Sequence, residues 1–217
     1  MGRYCQPSRG NVMEPRSASR SSPLSRGRVL PRRFYQRDAR VVAPDLLNKV
    51  LISGSILARI VEVEAYCGSS DPASHAYRGK TRRNATMFGP PGHLYVYFTY
   101  GMHWCANVVC MPAGVASAVL LRGAEPLEGL EEMWERRPRA RRENDLCSGP
   151  AKLAQALGLT GADDGIGLLG RSGRMCIVDD GLPPPSMPGN GVRIGIREGS
   201  DLMWRWWVPG SRHVSKR

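Results

Sequence analysis

Eleven residues in the first third of the chain, Ile56-Leu-Ala-Arg-Ile-Val-Glu-Val-Glu-Ala-Tyr66, constrain the fold more than any other stretch. Strand side chains alternate between the two faces of a sheet, so Val61, Val63 and Ala65 point one way while Ile60, Glu62, Glu64 and Tyr66 point the other. A long strand with one apolar face needs a second layer to cover it. Its opposite face then carries two carboxylates two residues apart.

The remaining elements fill in around that strand. Pro44-Asp45, followed by Leu46, Leu47 and Val50, reads as a short helix with proline in its first turn. Gly89-Pro-Pro-Gly92 is a turn into a strand over Leu94–Tyr100, and Asn107–Cys110 and Ala118–Arg122 read as further strands. Pro126 opens a helix to about Glu135, and Ser148-Gly-Pro150 opens another through Leu157. Short strands are expected at Met175–Val178, Val192–Ile196 and Trp204–Val208. Helices and strands mix without a regular βαβ alternation. The expected class is therefore α/β of the α+β kind: a single compact domain over residues 34–217, with a largely antiparallel or mixed curved sheet flanked by helices.

Residues 1–33, with eight Arg, one Glu and little apolar periodicity, read as a basic disordered tail. Such a tail fits an organelle transit peptide, a DNA tether or a misplaced start codon equally. The tail carries +7 of the formal +12, leaving +5 for the rest of the chain. That remainder is concentrated, because no Asp or Glu occurs from Pro72 to Ala124, where Arg78, Lys80, Arg82, Arg83 and Arg122 stand. A basic face of this kind suits a phosphate-bearing partner. The run Arg136, Arg137, Arg139, Arg141 and Arg142 is matched by Glu131, Glu132, Glu135, Glu143 and Asp145, and reads as a solvated helix end and loop. The six cysteines form no C-x-x-C pair and the four histidines are scattered, so free thiols and no metal site are expected. No apolar run approaches the roughly 18 residues of a membrane span.

Paired carboxylates on a strand fit either a glycosidase-like acid/base pair or a half-solvated strand. What raises Glu64 is its company: Tyr66 on the same face, His75 in the loop beyond, Tyr95 and Tyr97 sharing a face of the next strand, and Tyr100 free to project past its end. Aromatics beside a basic surface serve to stack a base drawn out of a helix, or else fill a core. Asn107 is the odd polar group on an apolar run, placed either to satisfy backbone or to sense a base edge.

The ordered blocks Arg59-Ile-Val-Glu-Val-Glu-Ala-Tyr66, Ser74-His-Ala-Tyr-Arg-Gly79, Arg83-Asn84, Met87-Phe-Gly-Pro-Pro-Gly92, Leu94-Tyr-Val-Tyr97, Tyr100-Gly-Met102, Cys105-Ala-Asn107, Val119-Leu-Leu-Arg122, Leu146-Cys-Ser-Gly-Pro150 and Trp204-Arg-Trp-Trp-Val-Pro-Gly-Ser-Arg-His-Val-Ser215 together resemble the alkyladenine (3-methyladenine) DNA glycosylase family in its bacterial-like form. The resemblance implies a monofunctional enzyme of base excision repair that flips alkylated or deaminated purines, hypoxanthine among them, out of duplex DNA. Water then hydrolyses the N-glycosidic bond and leaves an abasic site, with no cofactor and no metal. By motif, Glu64 is the general base and Arg122 holds the water and the carboxylate. Glu62 keeps a structural role. Tyr66, His75 and Tyr97 sandwich the base, Asn107 disfavours guanine, and Tyr100 with Met102 beside it wedges into the minor groove, while Arg78, Lys80, Arg82 and Arg83 face DNA. The same resemblance implies a monomer on double-stranded DNA, away from membranes. It would work in the cytoplasm at the nucleoid if bacterial, and in the nucleus or an organelle if eukaryotic. A noncatalytic module using the basic face and Tyr100 as a wedge is the rival reading.

Overall fold

The computed structural model describes Met1 and residues 27–215. Along these run β1 (Arg28–Val29), α1 (Arg32–Tyr35), α2 (Ala39–Leu46), β2 (Val50–Ser53), β3 (Ile56–Tyr66), β4 (Leu94–Thr99), β5 (His103–Val109), β6 (Ala118–Glu128), α3 (Leu130–Arg136), α4 (Pro150–Ala156), β7 (Met175–Asp179), β8 (Gly189–Gly191) and β9 (Arg205–Trp207). The expected fold class holds, with the sheet antiparallel throughout in the order β1-β7-β2-β3-β6-β5-β4 and curled into a half-barrel. β3 forks on one side, since its first half pairs with β2 and its second half, Glu62–Glu64, with β9. The glutamates therefore lie in the middle of the sheet, with β6 on one flank and β9 on the other.

One face of the sheet is covered by α2 and α4, which pack on β3, β5 and β6. α2 buries Ala39, Val42, Ala43 and Leu46, the i, i+3, i+4, i+7 stripe of an amphipathic helix. α4 opens with Pro150 at its first turn, as its sequence predicts, and buries Leu153, Ala154 and Ala156. With Val63, Ala65, Val108, Val119 and Leu121 from the strands they form the main core. Each fully buried large aliphatic there contributes about 1.5–3 kcal/mol.

Five expectations change. Pro44 lies inside α2, because Asp38 caps the helix earlier by accepting the Arg40 amide at 2.8 Å. Ile60 faces the helix-covered core and not the glutamates' side, since register shifts on both sides of Glu62 break the alternation there. Pro126 continues β6 opposite Ala58, near another irregularity where a missing N–H is tolerated. The helix begins instead at Leu130, after Gly129 at φ 76, where a Cβ would lie 3.0 Å from the Ile56 backbone. Val192–Ile196 is not a strand, because its backbone and side chains are engaged by Glu64 and Asp71. Finally, residues 28–33 pack on the domain: Arg28–Val29 pairs with β7, and Leu30 is buried. Residues 2–26 of the expected tail lie outside the described residues. Among the described residues Cys67, Cys105, Cys110, Cys147 and Cys176 are free thiols.

Candidate active site

Register assembles the site on the sheet face away from the helices. Tyr95 on β4 is opposite Asn107 on β5, Asn107 is opposite Leu120 on β6, and Leu120 is opposite Glu64 on β3. Directly opposed residues of antiparallel strands project to the same side, so this row crosses four strands on one face. Tyr97 and Cys105 form the next row. All of these side chains but Glu64 border a cavity of about 610 Å³ whose wall also includes Tyr66, His75, Arg122 and Ile194.

Glu62 and Glu64 differ in every contact. Glu62 is wholly enclosed: its Oε1 accepts from Arg122 Nε at 3.2 Å, Arg205 at 3.0 Å and Ser215 Oγ at 2.9 Å, and its Oε2 accepts from the Ser215 amide at 2.7 Å. Its acceptor capacity is spent on the fold. Glu64 is also buried, just beneath the cavity wall, and its partners are wall residues. Oε1 accepts the Ile194 amide at 2.7 Å and faces Arg122 Nη1 at 3.3 Å, while Oε2 accepts the Tyr66 hydroxyl at 2.9 Å. Burial raises the Glu64 carboxyl above the ordinary carboxylate range, with Arg122, the Ile194 N–H and Tyr66 pulling the other way. The result is an ionisable group more basic than a surface glutamate, held by three donors and clamped through Arg122 to its fully satisfied neighbour.

The aromatic wall is neutral. Burial pushes the Tyr66 and Tyr97 phenols well up and Tyr95 to about 12. Burial and the charge of Arg83 lower His75, which keeps its imidazole uncharged near neutrality. Tyr95 and Tyr97 stack at 5.4 Å, and the His75 ring meets Tyr97 edge-on at 4.5 Å with Nδ1 3.1 Å from the Tyr95 hydroxyl. Asn107 is buried and its Nδ2 reaches the Tyr95 carbonyl at 3.4 Å.

At the mouth, Tyr100 and Gly101 form the β4–β5 turn, both at positive φ (51 and 66). Positive φ costs a glycine little and a tyrosine more, so an aromatic here is strained into place. Tyr100 is 78% and Met102 66% exposed. The basic loop lies alongside. Arg78 reaches the cavity, whereas Lys80, Arg82 and Arg83 are exposed outside it, with Arg83 donating to the Phe98 carbonyl at 3.1 Å. Buried Asn84 shapes this loop, accepting the Thr81 amide and donating to the carbonyls of His75 and Gly79.

The residues singled out in sequence thus fall into one neighbourhood, with Arg122, Tyr66, His75, Tyr97, Asn107, Arg78 and Tyr100 lining the cavity, Glu64 just beneath its wall, and Met102, Lys80, Arg82 and Arg83 around it. Sequence reasoning gave no role to Ile194, Arg193 or Asp71, nor to Asn84 and Ser215, although these last two stand in blocks that carry the resemblance. For Ser215 a signal was present in the C-terminal block that ends on it. The Arg136–Arg142 run is largely a solvated helix end, with Arg136 bound to Glu132 and Arg139, Arg141 and Arg142 exposed. Among the described residues no three His, Cys, Asp or Glu side chains gather as metal ligands, and no helix is long and apolar enough to cross a membrane.

Glu64 and Arg122 beside a cavity walled by neutral rings suit hydrolysis at the edge of a planar heterocycle, and the class is that of DNA glycosylases. The family model described as methylpurine-DNA glycosylase matches residues 33–212. Relatives whose names assign them as 3-methyladenine DNA glycosylases include one from Burkholderia lata, 60% identical over 90% of this chain and 96% of its own. Others are from Streptomyces avermitilis, 50% identical over 86% and 90%, and Chlorobaculum tepidum, 49% identical over 84% and 88%. The chain belongs to the methylpurine-DNA glycosylase family, enzymes of alkylated-base repair.

Proposed function

We propose that this DNA glycosylase flips alkylated or deaminated purines, 3-methyladenine and hypoxanthine among them, out of duplex DNA into the aromatic cavity and hydrolyses the N-glycosidic bond. The observation that carries the reading is Glu64, the raised carboxyl held between Arg122, Ile194 and Tyr66. In the reaction a water oxygen bonds to C1′ of the deoxyribose, and the C1′–N bond breaks with its electron pair passing to the purine. The water's proton goes to Glu64. Arg122 keeps Glu64 ionised, and the carboxylate offsets the positive charge that develops on the sugar. A cationic alkylpurine leaves neutral, so no acid is required for it.

Tyr66, His75 and Tyr97 would hold the ring by its faces, and a cationic purine gains from their π clouds. Asn107 would crowd the exocyclic amino group of guanine. Tyr100, with Met102, would occupy the space vacated in the stack, and Arg78, Lys80, Arg82 and Arg83 would contact phosphates. The enzyme would act as a monomer, without cofactor, in the cytoplasm at the nucleoid of a bacterial cell. The test is Glu64→Gln on a single-lesion duplex: lesion binding within threefold of wild type with base release reduced at least a hundredfold. Release at the wild-type rate would remove Glu64 from its role, and duplex binding with no release by wild type would favour the noncatalytic module.

A further inference from the structure

Behind the aromatic wall lies a second ion pair that the chemistry above does not use. Arg193 and Asp71 are both fully buried and meet in two parallel bonds, Nη1–Oδ2 at 2.6 Å and Nη2–Oδ1 at 2.7 Å. The remaining contacts of the pair radiate into four segments. Arg193 Nη1 donates to the Ala65 carbonyl at 3.0 Å, at the end of β3, and Nη2 to the Gly199 carbonyl at 3.4 Å. Its guanidinium lies 4.7 Å from the Tyr66 ring centroid and 5.1 Å from that of Trp204. Asp71 accepts the amides of Cys67 and Ala73, which shapes the loop leading to His75. The next residue after Arg193 is Ile194, whose N–H is bonded to Glu64. Gly199 sits at φ 59 with its Cβ position 3.1 Å from Arg193, so the segment is folded tightly over the guanidinium.

A buried ion pair is poor value as a stabiliser, because desolvation cancels most of its attraction and an apolar pair of equal size does as well. What a planar, bidentate guanidinium supplies is fixed orientation. We propose that Arg193, locked by Asp71, is a positioning residue: it sets the plane of Tyr66 and the direction of the Ile194 N–H, and so aims Glu64 without itself touching substrate. This rests on the reading of Glu64 as the general base. Neither Arg193 nor Asp71 borders the cavity, whereas Tyr66 and Ile194 both do. Glu64 is faced by Glu62 and Tyr66 from its own strand, Arg122 from β6, Tyr97 from β4, and Arg193 and the Ile194 amide from this segment. Of these donors, only the Ile194 amide is placed through Arg193 by direct chain connection. Losing it removes an influence that holds the Glu64 carboxyl down.

The test uses Arg193→Lys, which keeps the charge and loses the fork, and the double variant Arg193→Met/Asp71→Asn, which removes both charges and restores a neutral, packed interior. Two quantities are read in each: the single-turnover rate of base release against pH, and the Glu64 carboxyl titration by ¹³C NMR. Both variants should release base at least tenfold more slowly, with lesion-duplex Kd within threefold of wild type. The acid limb and the NMR midpoint should move together to higher pH. A purely structural pair would lower the active fraction and leave the rate constant and both midpoints in place, and that outcome overturns the proposal. If wild type releases no base yet the NMR midpoint moves, the glycosylase reading falls and the positioning stands. If wild type releases base and neither rate nor midpoint moves, only the positioning falls.

Discussion

Two glutamates two residues apart should respond very unequally to the same substitution. Glu62→Gln puts an NH₂ donor, or at best one acceptor, where four donors converge: Arg122, Arg205, and the Ser215 hydroxyl and amide. Both arginines are buried, and the lost charge leaves Arg205 without a carboxylate and Arg122 with Glu64 alone. Breaking a buried pair in this way costs about 3–5 kcal/mol. For a domain of this size each kcal/mol moves Tm by about 2–4 °C, which gives a fall of roughly 6–20 °C. Glu64→Gln leaves Arg122 paired with Glu62, and glutamine can still accept from Ile194. Because burial already penalises the ionised form of Glu64, its neutral replacement should fall within about 1 kcal/mol of wild type, or roughly 4 °C. Differential scanning calorimetry at neutral pH measures both. A Glu62→Gln midpoint within 2 °C of wild type, or an equal loss in Glu64→Gln, would refute the division of labour drawn from their contacts.

Four further outcomes follow from the site. As the proposed general base Glu64 would work ionised, and its carboxyl is raised by burial, so single-turnover release should fall with acidification along a limb above the usual carboxylate range. The stability gap between Glu64→Gln and wild type should correspondingly widen as pH rises through the same interval, because wild type must then bury a charge that the unfolded chain carries in water. Asn107→Ser should increase release of undamaged guanine relative to 3-methyladenine by about tenfold, the scale of relieving one steric clash, in a competition assay on methylated DNA; an unchanged ratio sinks the screening role. Replacing Arg82 and Arg83 by Ala should lower the slope of log K against log salt by about 0.9 for each phosphate left without its cation, measured by fluorescence anisotropy. An unaltered slope would move the DNA face elsewhere.

What could be read from sequence was what depends on neighbours along the chain. The β3 glutamates, the proline-led α4, the paired tyrosines of β4 and the projecting Tyr100 all follow from local period or turn chemistry. Ambiguity arose where a residue's preference is satisfied in two ways. Pro126 suits a helix start and an irregular strand alike, and its partner Ala58 decides between them. Val192–Ile196 has the composition of a strand, yet Asp71 and Glu64, more than a hundred residues earlier, claim its donors. Arg193 was invisible for the same reason, since its meaning lies in a partner 122 residues away. The reversal of Ile60 came from a bulge that no alternation pattern announces.

Ser215 binds Glu62 across a separation of 153 residues. On the ribosome, a chain that has emerged through β6 has both glutamates and Arg122 in hand while the residue that closes their network is still unmade. The interior of the carboxylate cluster is therefore closed by a residue made long after its other members. A truncation just before Ser215 would open a gap in the interior beside Glu62 and Arg122, far along the chain from either of them.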